Sequence, residues 1–402
     1  MALAKARDKI RNAETERRQG AEPDALRVIP VEDKRTLDSF IRLPWRIYQD
    51  DPSWVPPLIL ERREHLSPKA NPYFRHAEAQ LWLAFRSERP VGRISAQIDR
   101  AALDQHQDAT GHFGFLEAED DGEVFAKLLE TAEAWLCERG MAQVRGPFSF
   151  SINDESGLLI EGFDRPPSLM MGHARPYYAA RLEACGYRKV KDLVAYDYDI
   201  AKEPLPASAR ALIERLEKDP RVTLRRLDKA RFAAELDAVL AVFNDAWSRN
   251  WGFVPFTPEE IAKAAKDLKP LIEADFVAIA EVDGEAAAFA IALPNLNEAI
   301  ADLNGALLPF GWAKLLYRLK FGKIKTGRMP LMGVRRKYHG TPWGAALAYA
   351  VIGRVQQAMK RRGYRGGELS WILEDNVSTR RIIESTGAVA YKTYRIYEKA
   401  LS

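Results

Sequence analysis

The chain predicts an α/β fold with a mixed sheet, arranged as two tandem domains, and three observations lead there. At 402 residues and 47% hydrophobic content it holds enough apolar material for two cores of ordinary size. Its signals run strand, helix, antiparallel strands, helix, strand, helix, strand, an order that makes a mixed sheet with helices on it. The same order returns about two hundred residues later as a weak internal repeat.

The elements follow in sequence. Residues 1–25 are polar, rich in Arg, Lys, Glu and Ala, and read as a mobile charged arm outside the core. A first domain over 26–201 begins with a strand at 26–31, a helix at 32–48 and a Pro and Trp loop at 52–57. Apolar, partly alternating runs at 79–85 and 91–98 flank the turn Ser87-Glu88-Arg89-Pro90, as in an antiparallel hairpin. Val124, Leu128, Ala132 and Leu136 recur at four-residue spacing and predict a helix over 122–139, stopped by Gly140. A strand at 142–145, a helix at 177–185 stopped by Gly186, and a strand at 191–199 complete this half. The stretch 202–207, polar with two prolines, reads as a linker. The second domain, 208–402, repeats the pattern: strand 222–227, helix 231–249, an aromatic and Pro loop, and hairpin strands 276–282 and 286–293 around Asp283-Gly284. Both halves end on a helix, a Gly stop (Gly186, Gly387) and an aromatic strand.

Composition removes several classes of function. Sixty basic against 56 acidic residues leave a net charge of +4, too balanced for a dedicated nucleic-acid binder. Cys137 and Cys185 stand alone, and the six histidines show no ligand spacing, so neither disulfides nor a metal site is expected. The charged N-terminus and the lack of a long apolar run argue against secretion or a spanning helix, and the reducing cytoplasm fits best.

The informative segment is Pro330 to Leu347. An apolar strand ending near Val334 meets a glycine-bearing loop and then a helix over 343–361. A loop at a helix N-terminus offers free N–H groups and the positive end of the dipole, which suits a diphosphate. The segment resembles the central motif of the GNAT acyltransferases, which cradles the CoA pyrophosphate; Lys337, Gly340 and Pro342 occupy its three defining places. Pro342 lacks an N–H, so the resemblance implies donation from Gly340, Trp343, Gly344 and Ala345. The next family element also matches: a strand at 368–373, Glu374-Asp375-Asn376, and Gly387 eleven residues after Asn376. The resemblance implies an α/β GNAT fold in each half, acyl-CoA as co-substrate, and Asn376 beside the pantetheine arm. It also places Ile383 where many relatives carry the tyrosine that protonates the departing thiolate.

An ammonium acceptor must lose a proton before it attacks a thioester, so a general base is needed. Glu368, Glu374, His339 and Tyr397 are the titratable candidates near the matched motifs, against surface, capping, phosphate-contact or core roles. Tyr394, on the same strand as Tyr397, reads as core or substrate-facing. The first half has the acidic run Glu117 to Glu123 at the corresponding place, which would repel a diphosphate, so one CoA per chain is expected. The long loop from Gly146, with Asn153 and Asp154, could line an acceptor pocket or form a structural Ω-type loop. Asn250 and Trp251, in an aromatic stretch over 243–256, could line an apolar channel or the seam between halves. Residues 307–328 combine bulky apolar residues with six cations and no acid, which suits an anionic membrane surface, a cover over an acyl tunnel, or a solvated basic face.

Gly146-Pro followed by Asn153-Asp-Glu, Gly162-Phe-Asp, Pro294-Asn295-Leu-Asn, Leu308-Pro-Phe-Gly and Ser370-Trp with Glu374-Asp-Asn together resemble a bacterial family of tandem GNAT-like proteins that includes the bacterial ceramide synthases. That resemblance covers nearly all of the chain after the arm. It implies transfer of a long fatty acyl group from acyl-CoA to the amine of a sphinganine-type base, with Asn295 near substrate and a peripheral place at the inner membrane surface. Two other readings stay open: an N-acyltransferase or aminoacyltransferase for a small amine or amino acid, and a non-catalytic acyl-CoA-binding scaffold.

Overall fold

The computed structural model describes residues 25–201, 205–269, 271–322 and 324–401. The expected arm falls, up to residue 24, outside the described residues, as do residues 202–204 of the expected linker. The first half runs β1 (Leu26–Pro30), α1 (Lys34–Ile47), α2 (Ile59–His65), β2 (Ala77–Arg86), β3 (Arg89–Asp99), α3 (Arg100–His106), β4 (Thr110–Ala118), α4 (Gly122–Cys137), β5 (Gln143–Gly146), β6 (Leu158–Glu161), α5 (Tyr178–Ala184) and β7 (Arg188–Asp199). The second half runs α6 (Ala207–Glu217), β8 (Val222–Arg226), α7 (Phe232–Trp247), α8 (Pro258–Leu268), β9 (Val277–Val282), β10 (Glu285–Pro294), α9 (Leu296–Ile300), α10 (Gly311–Lys320), β11 (Thr326–Val334), α11 (Pro342–Arg361), β12 (Gly366–Leu373), α12 (Val377–Ser385) and β13 (Val389–Ala400).

Among the described residues, all thirteen strands join one mixed sheet in the order β1-β2-β3-β4-β5-β13-β7-β12-β11-β10-β9-β8, with β6 pairing on β13. The closing strands have changed places. β13, the end of the second half, pairs with β5 of the first (Tyr397 opposite Gly146), and β7, the end of the first, pairs with β12 of the second (Leu369 opposite Tyr196). The two lie antiparallel side by side, from Val389 opposite Asp197 to Glu398 opposite Arg188. Packing follows the pairing: Tyr394, Ile396 and Tyr397 fill the first half's core, while Tyr196 and Tyr198 fill the second's. Each such buried aromatic or branched side chain stabilises the fold by roughly 1.5–3 kcal/mol. Neither half therefore has a complete core or a closed sheet edge without the other.

Helices cover both faces. α4 packs on β3 and α11 on β10 on one side of each half, while α1 and α7 cover the other. The helix expected over 122–139 is the observed α4, and Val124, Leu128, Ala132 and Leu136 are all buried. Strand β4 goes unseen in the sequence because of its glycines, which the structure needs: a side chain at Gly114 would meet the Phe148 carbonyl.

A histidine clamps the halves at the periphery. His76 places Nδ1 3.0 Å from Asp99 and Nε2 3.2 Å from Glu260 of α8, and these two hydrogen bonds, Asp99 first, hold its pKa up to about 10 against an ordinary 6.5. A raised pKa means that the folded state binds the proton more tightly. The contribution is complete below about pH 6.5 and is lost as pH rises through about 10. His76→Gln is thus expected to cost about 1 kcal/mol at pH 6 after allowance for screening, and almost nothing near pH 10.5. Thermal unfolding of both proteins across that range checks it; parallel curves would show that the clamp does not couple to stability.

Candidate active site

β11 and β12 are parallel but pair only from Thr326 opposite Gly366 to Met329 opposite Leu369. Pro330 follows, with no N–H to donate, and beyond it β11 stays with β10 while β12 stays with β7. A wedge opens between the two strands. At its outer end lies the loop from β11 into α11, and at its base lies a buried polar cluster.

The loop is organised by its own side chains. His339 donates from Nε2 to the Val334 carbonyl at 2.7 Å, which folds the 3-10 turn over 336–338 back onto the strand end. Thr341 caps α11: its hydroxyl donates to the Tyr338 carbonyl at 2.7 Å and accepts from Gly344 N at 3.1 Å, while Ala345 N donates to the Thr341 carbonyl at 3.3 Å. Of the four expected donors, Gly344 and Ala345 are therefore engaged within the helix cap. Gly340 and Trp343 carry N–H groups with no protein acceptor among the described residues. Gly340 has φ +70°, with open space beside it. Lys337 is about half exposed and 3.6 Å from the exposed Glu285, and Arg221 lies over the Trp343 ring at 5.0 Å. Two free donors, the helix dipole and these cations fit a diphosphate.

Gly344 has a packing reason of its own, since a side chain there would sit 2.2 Å from the Tyr338 carbonyl oxygen. Gly344→Ala is expected to shift the start of α11 and raise KM for acyl-CoA by about tenfold or more, with a smaller change in kcat. Steady-state kinetics against acyl-CoA check this; an unchanged KM would mean that the cap does not shape the binding loop.

At the base of the wedge, Glu368 on β12 is buried, and one carboxylate oxygen accepts from the Ser370 hydroxyl while the other accepts from the Tyr391 hydroxyl. Arg328 on β11 lies 3.6 Å from Glu368, and both side chains are about 5% exposed. Its guanidinium donates to Ser370 Oγ at 2.8 Å, to the Ser370 carbonyl at 3.2 Å and to the Leu169 carbonyl at 2.8 Å. Lys392 donates to the carbonyls of Arg165 at 2.7 Å and Pro166 at 3.1 Å, and burial pushes its pKa down to about 8. The long loop of the first half is thereby strapped across the second half's wedge. Burial and then the Glu368 charge drive the Tyr391 hydroxyl far above its usual range, so it stays protonated and can only give up a proton to a strong acceptor. The Tyr394 hydroxyl is also buried and has no hydrogen-bond partner among the described residues, and its pKa too is raised by burial.

The other candidates lie elsewhere. Glu374 accepts from Lys189 Nζ at 2.6 Å and from Asp192 N at 3.1 Å, which staples the end of β12 to β7. Tyr397 donates to Glu183 of α5 at 3.1 Å and lies six residues beyond Tyr391 on β13, roughly 20 Å along the strand. Asn376 caps α12 through Thr379 N at 3.2 Å. Ile383 is buried in the core beneath α12, so no acid stands there. Asn153 donates to the Val254 carbonyl at 3.1 Å, and Asn295 accepts from Leu169 N at 3.0 Å and donates to Thr326 Oγ1 at 3.1 Å; both amides join the two halves. Asp154 is half-buried and accepts from the Ser151 hydroxyl, and desolvation raises its pKa. Trp251 lies under Arg145 at 5.3 Å and Lys191 at 5.8 Å, and the Asn250 backbone closes a turn onto Trp247.

Sequence reasoning missed Arg328, Ser370, Tyr391 and Lys392. It counted Arg328 among the cations of the 307–328 insertion; the structure corrects that, because Arg328 lies inside β11 and is buried. The available signal was an arginine inside a strand that leads to the anion loop. No group of three or more His, Cys, Asp or Glu is placed to hold a metal among the described residues. Among them too, no helix is long and apolar enough to cross a membrane.

With this geometry in hand, the relatives decide the family. A bacterial ceramide synthase of Caulobacter vibrioides (strain NA1000 / CB15N) is 47% identical over 377 residues, covering 94% of this chain and 98% of that protein. The chain belongs to the bacterial ceramide synthase family. Protein YghO of Escherichia coli (strain K12), 46% identical over 368 residues, covers 92% of this chain and 94% of its own length. No family model matches the chain. Among solved structures, a tandem GNAT protein from the clavulanic acid biosynthesis pathway superposes with a TM-score of 0.56 at 14% identity, covering 94% of this chain and 99% of that one. That likeness establishes the fold: a mixed α/β sheet carrying two GNAT modules in tandem. As a member of the ceramide synthase family, the protein is an N-acyltransferase.

Proposed function

We propose that this protein transfers a long fatty acyl group from acyl-CoA to the amine of a sphinganine-type long-chain base. The observation that carries the reading is the wedge between β11 and β12, which joins an anion-binding loop at one end to the buried Glu368 cluster at the other. In this reading the Gly340 and Trp343 N–H groups and Lys337 hold the CoA diphosphate, with Val334, Gly344 and Ala345 shaping the loop and Asn376 beside the pantetheine arm. The thioester then lies along the diverging strands with its carbonyl near Glu368. Glu368 takes a proton from the acceptor ammonium, the neutral nitrogen attacks the carbonyl carbon, the C–N bond forms and the C–S bond breaks. A second proton leaves the nitrogen as the amide forms and passes through water to the departing thiolate, in place of the acid absent at Ile383. The name of the Caulobacter relative supports the lipid acceptor.

The test incubates the full chain with long-chain acyl-CoA or acetyl-CoA, with and without sphinganine or its 3-keto form, and follows thiol release and the N-acyl product by mass spectrometry. Thiol release that depends on both the long acyl chain and the base is expected. Release with acetyl-CoA and small amines alone would overturn the lipid reading, and tight CoA binding without release would make the protein a scaffold.

A further inference from the structure

Six of the ten large hydrophobics that are exposed among the described residues fall within residues 308–321: Leu308, Phe310, Trp312, Leu316, Tyr317 and Phe321, at 50–79% exposure. They lie on α10 and the turn before it, and α10 buries none of its own residues. A soluble surface scatters such side chains singly, so their concentration in one segment calls for a cover. The segment is held to the body by polar ties on its inner side, where Arg318 donates to the Ala299 carbonyl at 2.6 Å and pairs with Asp302, as Lys314 does at 2.5 Å. Those ties leave the aromatic and leucine side chains pointing away from the protein.

The charge pattern selects the cover. Residues 303–327 contain five Lys and Arg and no Asp or Glu. Lys314 and Arg318 are answered by Asp302, but Lys320 and Lys325 have no carboxylate partner among the described residues, and Lys320 lies 5.7 Å from the Phe321 ring centroid. Cations interleaved with Trp, Tyr and Phe on a short exposed helix match the interface of a bilayer with anionic headgroups: the rings enter the boundary region and the ammonium groups meet phosphate.

We propose that α10 and residues 308–310 form a membrane-docking element that seats the protein on an anionic lipid surface. Four residues after Ile324, itself buried, the same chain reaches Arg328 in the cluster at the base of the wedge. The docked element is thus joined by one short strand segment to the reaction centre. The purpose of the contact, delivery of a lipid acceptor, rests on the function proposed above; the contact itself does not.

The experiment sediments the full chain with sucrose-loaded vesicles of phosphatidylcholine alone and of phosphatidylcholine with 30% phosphatidylglycerol, comparing wild type, the pair Phe310→Ser with Trp312→Ser, and the pair Lys320→Glu with Lys325→Glu (vesicle composition about 7:3 by design). All four side chains are exposed, Lys325 lying just beyond the element, and melting curves confirm that each variant folds. Wild type is expected to bind the anionic vesicles, the aromatic pair to lose about 100-fold in partitioning to both, and the lysine pair to lose about tenfold on anionic vesicles only. Wild type left in the supernatant, or an aromatic pair that binds as wild type does, overturns the proposal. So does a vesicle-free dimer that the aromatic pair dissolves, since a second copy would then be the cover. Turnover of a detergent-dispersed base, measured in parallel, separates the two readings: binding without turnover sinks the proposed acceptor alone, and turnover without binding sinks the docking element alone.

Discussion

Glu368→Gln is expected to lower kcat by about 10²- to 10⁴-fold, the usual worth of a positioned general base, with KM for acyl-CoA changed by less than about threefold. The amide keeps the shape of the carboxylate and accepts one of the Ser370 and Tyr391 hydroxyls through its oxygen while its NH2 faces the other, but it cannot take a proton from an ammonium. A purely structural role would show differently. The loss of charge beside Arg328 would then appear as a lower melting temperature with kcat intact. The pH profile separates the cases further, because removal of a base abolishes the acidic limb of kcat/KM whereas a loosened fold leaves its shape unchanged. A folded variant with wild-type kcat would reassign Glu368 to the strap that holds the two halves together.

Arg328→Met carries the largest expected effect on stability, about 3–5 kcal/mol, because it removes one partner of a buried ion pair and leaves the other without compensation. Ser370 Oγ and the carbonyls of Ser370, Leu169 and Met170 lose a donor at once, and Glu368 loses its cation. Chemical denaturation measures the loss. The double variant with Glu368→Gln decides its origin, since a neutral amide is far cheaper to leave unpaired than a carboxylate. A double variant more stable than Arg328→Met alone is the expected outcome, and strict additivity would mean that the pair does not interact across the parallel strands.

Much of the architecture was legible because periodicity reports directly on burial. The four-residue spacing of Val124, Leu128, Ala132 and Leu136 marked one face of α4, and all four side chains are fully buried. The hairpin of β2 and β3 was marked by its turn, where Ser87 takes φ +52°. The anion loop was legible for a local reason as well: strand end, glycine and helix start lie within a dozen consecutive residues, so their geometry needs no distant partner. The cluster around Glu368 was not. Its members come from β11, β12, β13 and the loop over 165–170, and only pairing brings them within hydrogen-bond distance.

The sequence by itself determined the fold class, the repeat, the place of the helix that opens the anion loop, and which face of most elements lies inward. Each of these depends on residues a few positions apart. Which strand sits beside which was decided only in the tertiary structure. β7 and β13 carry the same helix, glycine and aromatic-strand signature, and side-chain alternation states which residues point into a core without saying whose core it is. Tyr196 and Tyr394 could have packed in their own halves on pattern alone, yet each fills the other's. That exchange sets β7 between β13 and β12, so that Tyr391 reaches Glu368 across it, while Lys392 and Arg328 hold the first half's loop over the second half's strands, and so the candidate centre is assembled.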